Sequence, residues 1–422
     1  MEYKEKELKQ GIKLHTIKTD KFKTNLMAIF LTTKLDRKNV TKNALISAIL
    51  RRGTKTMKSQ EEISKAMEEM YGASFDCGLD KTGDNQVLKF YIESVNDNFL
   101  PKDSNDILRN SLEKLIEIVF NPYIENEGFK AEYMEQEKNN IKQRIQGKID
   151  NKSRYAIDRC IEEMYKDQPF GLYKLGYIED LENIDEKDLY KYFKELINSC
   201  KIDIFVSGMI DDNISELIEN NENIQKLEER EPNYCLPKNE VKNKKEENII
   251  TESMEVTQGK LILGLDVNID NEDLKYDTLI YNSILGGNAN SKMFQNVREK
   301  AHLAYVASSS YMRQKNNIFV NCGIEISNYE KALELIRKQI EDMKKGDFTE
   351  EDIANSKKGI IATIKTIDDE QDTGITYYFG QEMANTKVSP EEYINKIESI
   401  DKDKVQNIAS KVNINTIYFL RD

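Results

Sequence analysis

The segment 285–309, LGGNANSKMFQNVREKAHLAYVASS, follows the same plan as residues 51–74, RRGTKTMKSQEEISKAMEEMYGAS. Gly287 precedes Tyr305 by 18 residues, and Gly53 precedes Tyr71 by the same 18. In each case an apolar stretch that reads as helix stops at the glycine, and an amphipathic helix ends near the tyrosine. In the earlier copy Ile63, Met67, Met70 and Tyr71 fall at i, i+4, i+7 and i+8, one stripe of a helix. Ser59, with Glu62 three residues on, has the form of a capping box. A strand follows each copy: NQVLKFYIE at 85–93 and NIFVNCGIE at 317–325.

Working outward, the order continues to match. A helix is clearest at Tyr329, Ala332, Leu333, Ile336, Ile340 and Met343, and its counterpart is predicted from about Ser104 to Val119. Phe129-Lys-Ala-Glu then matches Phe348-Thr-Glu-Glu, and each opens a long helix. The first is read as one charged stretch from about Glu132 to Tyr165; the second is capped by Thr349 with Asp352. A last helix begins at Ser389-Pro390, an N-cap followed by proline at N1. Near the start, Gly11–Lys34 alternates as paired strands and Thr41–Leu50 reads as an apolar helix. Between about Asn220 and Ser253 mixed charge replaces periodicity, as in a solvated connector. The prediction is an α+β fold of two homologous repeats, each a mostly antiparallel sheet packed against helices. Its boundaries are 1–218, a charged connector at 219–250, and 251–422.

A chain of 422 residues fits two or three domains at about 150 residues each. Its 62 basic against 75 acidic residues leave a net charge of −13, which argues against nucleic-acid binding. No apolar run reaches the ~18 residues of a membrane helix, and no apolar stretch follows the first residues as in a secretory signal. A cytoplasmic protein is the expectation, with neither membrane nor nucleic acid as partner.

Only two histidines, His15 and His302, are present, and they lie far apart. Metal chemistry that needs two or three imidazoles is therefore excluded within the chain. The five cysteines have no Cys-x-x-Cys spacing and read as reduced thiols. A Cys–His nucleophile through His302, or a metal-independent hydrolase using Cys322 or a serine, has no supporting local sequence. Neither phosphate-loop motif occurs, and Gly286-Gly287-Asn288 is explained by a helix-ending turn. Arg51-Arg52 with Lys55 and Lys58 forms a small basic cluster, readable as a solvated face or as an anion site.

The 285–309 segment resembles the second-repeat signature of the insulinase/pitrilysin-type metallopeptidases, the inverzincins. Those carry Gly-Gly, then Ser-Arg-Leu-Phe, then Leu-Arg-Glu-Lys-x-Gly-Leu-Ala-Tyr at this spacing. Gly11-Ile-Lys-Leu, the Gly53-Thr54 turn and the duplicated halves fit as well, so the resemblance covers nearly the whole chain. The family's zinc motif, His-x-x-Glu-His, stands just before Gly-Thr. Counting back from Gly53-Thr54, this chain has Ala44 and Ala48 at the histidine positions and Ser47 at the base. If Glu137 is the family's first acid on the long helix, the third ligand position is Arg144, whose guanidinium opposes a divalent cation.

The resemblance also implies what is kept. Arg298 and Tyr305 match the family's second-repeat arginine and tyrosine, which hold a substrate carbonyl and hydrogen-bond the tetrahedral oxyanion. Taken singly, Arg298 is better explained by a helix ion pair with Glu299 or Glu325, and Tyr305 by the core; the whole motif around them favours the functional reading. Lys292 replaces the usual arginine after Ser291, and His302 sits where many relatives have glycine. Some family members work in pairs, one subunit zinc-bearing and the other not, as in the mitochondrial processing peptidase and bacterial two-gene pairs. This chain is similar to the zinc-less member, and its length and degenerate motif look most like a bacterial group associated with 5-aminopentanol modification of elongation factor P. The expectation is a non-catalytic, substrate-binding subunit with no cofactor of its own. It would supply Arg298 and Tyr305 to the zinc site of a homologous partner of similar length, acting on peptide or unfolded protein. The two repeats are expected to face one another around a chamber with the connector outside. The other reading is a peptide-binding or scaffold protein with no peptidase activity.

Overall fold

The computed structural model describes residues 2–102, 106–239 and 246–422. Its strands in chain order are β1 (Glu2–Lys9), β2 (Ile12–Lys18), β3 (Thr24–Lys34), β4 (Ser74–Thr82), β5 (Asn85–Val95), the two-residue ribbon β6 (Ile124–Glu125) and β7 (Gly128–Phe129), and β8 (Lys201–Gly208). The second half adds β9 (Asn248–Ser253), β10 (Gly259–Val267), β11 (Ala304–Met312), β12 (Asn317–Ile324) and β13 (Val412–Arg421). One sheet runs β1-β2-β8-β3-β5-β4, the other β11-β12-β10-β13-β9. With β1 set aside, both place their first, last, second, fourth and third strands side by side. In both, the first and last strands pair in parallel and every other pairing is antiparallel. The duplicated pattern of the sequence is thus a duplicated topology.

The helices that bear on the site in the first half are α1 (Val40–Ile49), continued by a 3-10 turn at Leu50–Arg52, α2 (Gln60–Glu69), α3 (Ile107–Phe120) and α4 (Ala131–Gln146). α1 and α3 pack on the six-stranded sheet, and α4 packs on α1. Leu45, Ile46, Leu112, Leu115 and Ile116 meet Ile29, Leu31, Leu88 and Phe90 there in one buried cluster. At about 25 cal/mol per Å2, such burial supplies most of the driving force for folding. The expected capping box at Ser59 is half formed: its side chain accepts the Glu62 N–H, but Glu62 takes the Lys58 N–H instead. The helix expected from Ser104 begins at Ile107, capped by Asp106, and residues 103–105 lie outside the described ones.

The long helix read over 132–165 is two helices. α4 ends at Gln146, a 3-10 turn follows at Gly147–Ile149, and α5 (Lys152–Met164) restarts with Asn151 accepting the Arg154 N–H. Amphipathic periodicity runs through the break, so composition alone did not mark it. The break has a consequence for domain membership. The compact units are Met1–Gln146 with Leu172–Cys235 and Ile367–Gly380, and Gly147–Gly171 with Leu236–Thr366 and Gln381–Asp422. Each half of the chain lends a helical segment to the other's unit.

In the second unit α5 lies on β10 and β13. A side chain at Gly264 would sit 2.8 Å from Met164 Sδ, so this close approach requires glycine. Glu252 on β9 accepts hydrogen bonds from Tyr155 (2.5 Å), Tyr418 (2.8 Å) and Arg159 (3.0 Å), fixing the lent helix to the sheet. In the first unit the lent segment 367–380 places Phe379 edge-on to Phe30, ring centres 4.8 Å apart, and stacks Tyr378 on Tyr3 at 3.8 Å. Gln371 donates to Thr24 O (3.0 Å) and accepts from the Leu26 N–H (3.2 Å). The stretch 219–250 is more structured than its charge suggested: Leu227 and Arg230 are buried, and its end forms β9. Residues 240–245 lie outside the described ones.

Candidate functional site

α1 is held by polar side chains at its base. Asn43 donates to Gln86 (2.8 Å) and accepts from Tyr192 (2.9 Å), which fixes the helix's rotation. That rotation buries Ala44 and leaves Ala48 half-buried at the core's margin. Ser47 donates its hydroxyl to Gly78 O on the edge strand β4, 3.2 Å away. On the neighbouring helix, buried Glu137 is paired with Arg52 and accepts from Asn140 (3.2 Å). Arg144, two turns further along α4, is exposed. A zinc ion does not fit these residues. Two methyl groups and a guanidinium stand at the ligand positions, Ser47 is engaged with the backbone, and Glu137 is engaged with a cation. Among the described residues no group of three or more His, Cys, Asp or Glu is placed to hold a metal.

The second cluster is built on an unusual turn of helix. After α6 (Leu274–Asn282) the chain winds as a π-helix over Ser283–Gly287 and again over Met293–Lys300. The second ends with Ala301 donating to Asn296 O, five residues back. Such wide turns cluster at functional positions because they re-aim side chains. Met293 and Val297 point into the core, while Arg298 lies over the Phe294 ring at 4.5 Å with Nε 3.5 Å from Glu299. That ion pair is exposed and worth little. Gly286 is fixed by packing, since a side chain there would come within 2.5 Å of Ser309 N.

His302 follows with φ +54°, the left-handed region that suits glycine. The chain then enters β11 with a bulge. Ala304 pairs with Ile324 and Val306 with Gly323, which leaves Tyr305 as the extra residue. The bulge turns Tyr305 outward, and it is 64% exposed beside Val306 at 47%. A core role for Tyr305 is thereby excluded. Lys292 reaches Asp347 at 3.5 Å, an ordinary structural contact. The two tyrosines of the repeat are not at the same step: Tyr71 itself takes the left-handed conformation (φ +58°), the place held by His302 in the second copy. Counting residues from the glycines aligned them although the left-handed residue comes 18 residues after Gly53 and only 15 after Gly287.

Thiol chemistry finds no support. Burial pushes the Cys160, Cys200 and Cys322 thiols up to about 12, and Cys77 is raised as well, mainly by burial. His15 is a structural group: fully buried, it lies 2.8 Å from Tyr3 Oη and 3.0 Å from Asp203 Oδ1, and Asp203 also binds buried Lys201. Sequence reading missed this network, although Lys201 and Asp203 at alternate positions of an apolar strand were its signal. A cavity of about 520 Å3 between Phe120, Tyr190 and Phe193, and one of about 530 Å3 beside Tyr276, include none of the residues expected to act. Among the described residues no helix is long and apolar enough to cross a membrane.

Residues 183–360 match the family model described as the peptidase M16 inactive domain. Over 415 residues the chain is 35% identical to a probable inactive metalloprotease, YmfF, of Bacillus subtilis, covering 97% of this chain and 96% of that protein. The uncharacterized zinc protease YmxG of the same bacterium is 22% identical over 266 residues, covering 61% of this chain and 63% of its own. Among solved structures, a conserved protein from Enterococcus faecalis superposes with a TM-score of 0.90 at 26% identity, covering 99% of this chain and 98% of that one.

Proposed function

Because the chain belongs to the insulinase/pitrilysin-type (M16) peptidase family as an inactive homologue, we propose that it is the substrate-binding subunit of a two-component zinc peptidase. In this reading the zinc and its general base belong to a homologous partner, and this chain contributes Arg298 and Tyr305. The observation that carries it is the contrast between the two clusters. The ligand positions have been replaced by groups that cannot bind metal, whereas Tyr305 is turned outward by a bulge, its hydroxyl free of the core. A phenol in that position can donate to the oxyanion of a tetrahedral intermediate, and Arg298 can hold a peptide carbonyl beside it. That one bacterium carries both an inactive relative and a zinc protease relative of this chain also supports pairing.

The experiment is steady-state kinetics on a peptide library, with this chain alone, a zinc-bearing homologue alone, and the mixture. Activity should appear only on mixing. Tyr305→Phe should lower kcat by roughly 10²-fold with the complex intact by gel filtration, because one transition-state donor is lost and the ring remains. Arg298→Ala should raise KM as well. If both variants assemble and cleave at the wild-type rate, the chain is a structural or delivery subunit and this reading is wrong.

A further inference from the structure

The cavity of about 520 Å3 lies wholly within the first unit and has two distinct walls. One is a face of the helix Glu186–Ser199, where Tyr190, Phe193, Lys194 and Ile197 fall at i, i+3, i+4 and i+7. The other is the end of α3 at Phe120 with the chain beside it, on which Lys55 is seated. Two backbone bonds hold that seat: the Lys55 N–H donates to Asn121 O and the Tyr123 N–H to Gly53 O, both at 2.9 Å. Phe193 and Ile197 are buried yet line the cavity, so they form its floor, with Phe120 and Tyr190 half-buried beside them. Lys55 and Lys194 are exposed and so stand at its mouth. The Lys194 ammonium lies 4.7 Å from the centre of the Tyr190 ring, which places one charge against the aromatic wall. No carboxylate lines the cavity, and neither lysine has an ion-pair partner among the described residues. The carboxylates nearby are engaged elsewhere: Glu117 accepts from the Thr54 hydroxyl (2.7 Å) and the Thr56 N–H (3.0 Å), and Glu125 from the Tyr123 hydroxyl (2.6 Å).

We propose that this cavity binds a small aromatic carboxylic acid of one or two rings. The ring lies on Phe193 and Ile197, and the carboxylate is met by the Lys55 and Lys194 ammonium groups. The volume falls within the range of small-molecule sites, about 300–1,000 Å3. Offset and edge contacts with Phe120, Tyr190 and Phe193 favour a flat ring, and the flexible lysine stem lets each ammonium follow the anion. The site shares no residue with the proposed peptidase role and goes beyond it. It is tested on the isolated chain, so it fails separately from any partner-dependent activity.

The chain contains no tryptophan, so an indole ligand can be excited apart from the protein. The probe is indolepropionate, its fluorescence anisotropy followed as the full chain is titrated in, with indolepropionamide as the neutral counterpart. Saturable binding is expected, roughly tenfold tighter for the acid than for the amide, on the order that two exposed ion pairs supply. Lys55→Gln with Lys194→Gln should bring the two affinities together by weakening the acid, and since both side chains are exposed the fold is kept. Lys187→Gln, at an exposed lysine of the same helix outside the cavity, should leave both affinities unchanged. Phenylpropionate should displace the probe, and hexanoate, an aliphatic acid, should not. Any of four results overturns the proposal: no saturable binding, equal affinity for acid and amide, a preference for the acid that survives the paired variant or falls as far with Lys187→Gln, or displacement by hexanoate as readily as by phenylpropionate.

Discussion

Replacing Asp203 by Asn tests the buried network that joins β2 and β8 in the first sheet. The carboxylate is fully buried on β8, bound by Lys201 and 3.0 Å from His15 Nε2. Burial alone would raise its pKa, but Lys201 and His15 outweigh burial and hold it at about 2, from an ordinary 3.8. A depressed carboxyl contributes stability that is fully present above its unfolded-state pKa near 4 and is lost as pH falls through about 2. At 1.36 kcal/mol per unit, that shift is worth about 2 kcal/mol. The variant should cost more than this at pH 7, about 3–5 kcal/mol, because it strands the Lys201 ammonium without its counter-ion. Urea unfolding of both proteins from pH 7 to pH 2.5, followed by circular dichroism, gives the difference directly. The gap should narrow by about 1.5 kcal/mol between pH 7 and pH 2.5, most of it below pH 4, because the range stops just above the folded pKa. A variant within 1 kcal/mol of wild type at pH 7, or a gap that widens as pH falls, would refute the argument.

Three further outcomes are expected. His302→Gly should raise stability by about 0.5–1 kcal/mol in thermal unfolding, since glycine takes φ +54° without the strain a side chain incurs, less its greater unfolded-state entropy; a loss of stability would mean His302 makes a contact worth more than that strain. Glu252→Ala should cost about 2–4 kcal/mol and speed hydrogen exchange selectively in α5, because it removes the acceptor for Tyr155, Tyr418 and Arg159. Exchange in α5 that stays at the wild-type rate counts against that anchoring role. After dialysis, elemental analysis should find far less than one zinc per chain, and stoichiometric zinc would contradict the misfit at Ala44, Ala48 and Arg144.

Much of the candidate site could be read without coordinates because its chemistry is local. The alanines at 44 and 48 and the count of two histidines are read by residue type alone. The 285–309 motif named Arg298 and Tyr305 because their spacing is a property of the chain. What failed was register: the 18-residue spacing equated Tyr71 with Tyr305. Residue counting assumes equal lengths between equivalent points, but the left-handed residue comes 18 residues after Gly53 and only 15 after Gly287. The basic cluster after α1 was ambiguous for a related reason. Arg52 is neutralised by a residue 85 positions away, and Arg51 is not.

The sequence by itself determined the duplicated α+β plan, the strand and helix periods, the caps at Thr349 and Ser389, and the lack of imidazoles at positions 44 and 48. Each follows from residue identity and short-range spacing. Only the tertiary structure decided that α5 and residues 367–380 belong to the unit built mainly by the other half. The choice rests on contacts distant in sequence, Met164 against Gly264 and Phe379 against Phe30. It likewise decided that Tyr305 faces outward, because a strand's side-chain direction is set by pairing, and one unpaired residue against Ile324 and Gly323 shifts the alternation that sequence can only assume.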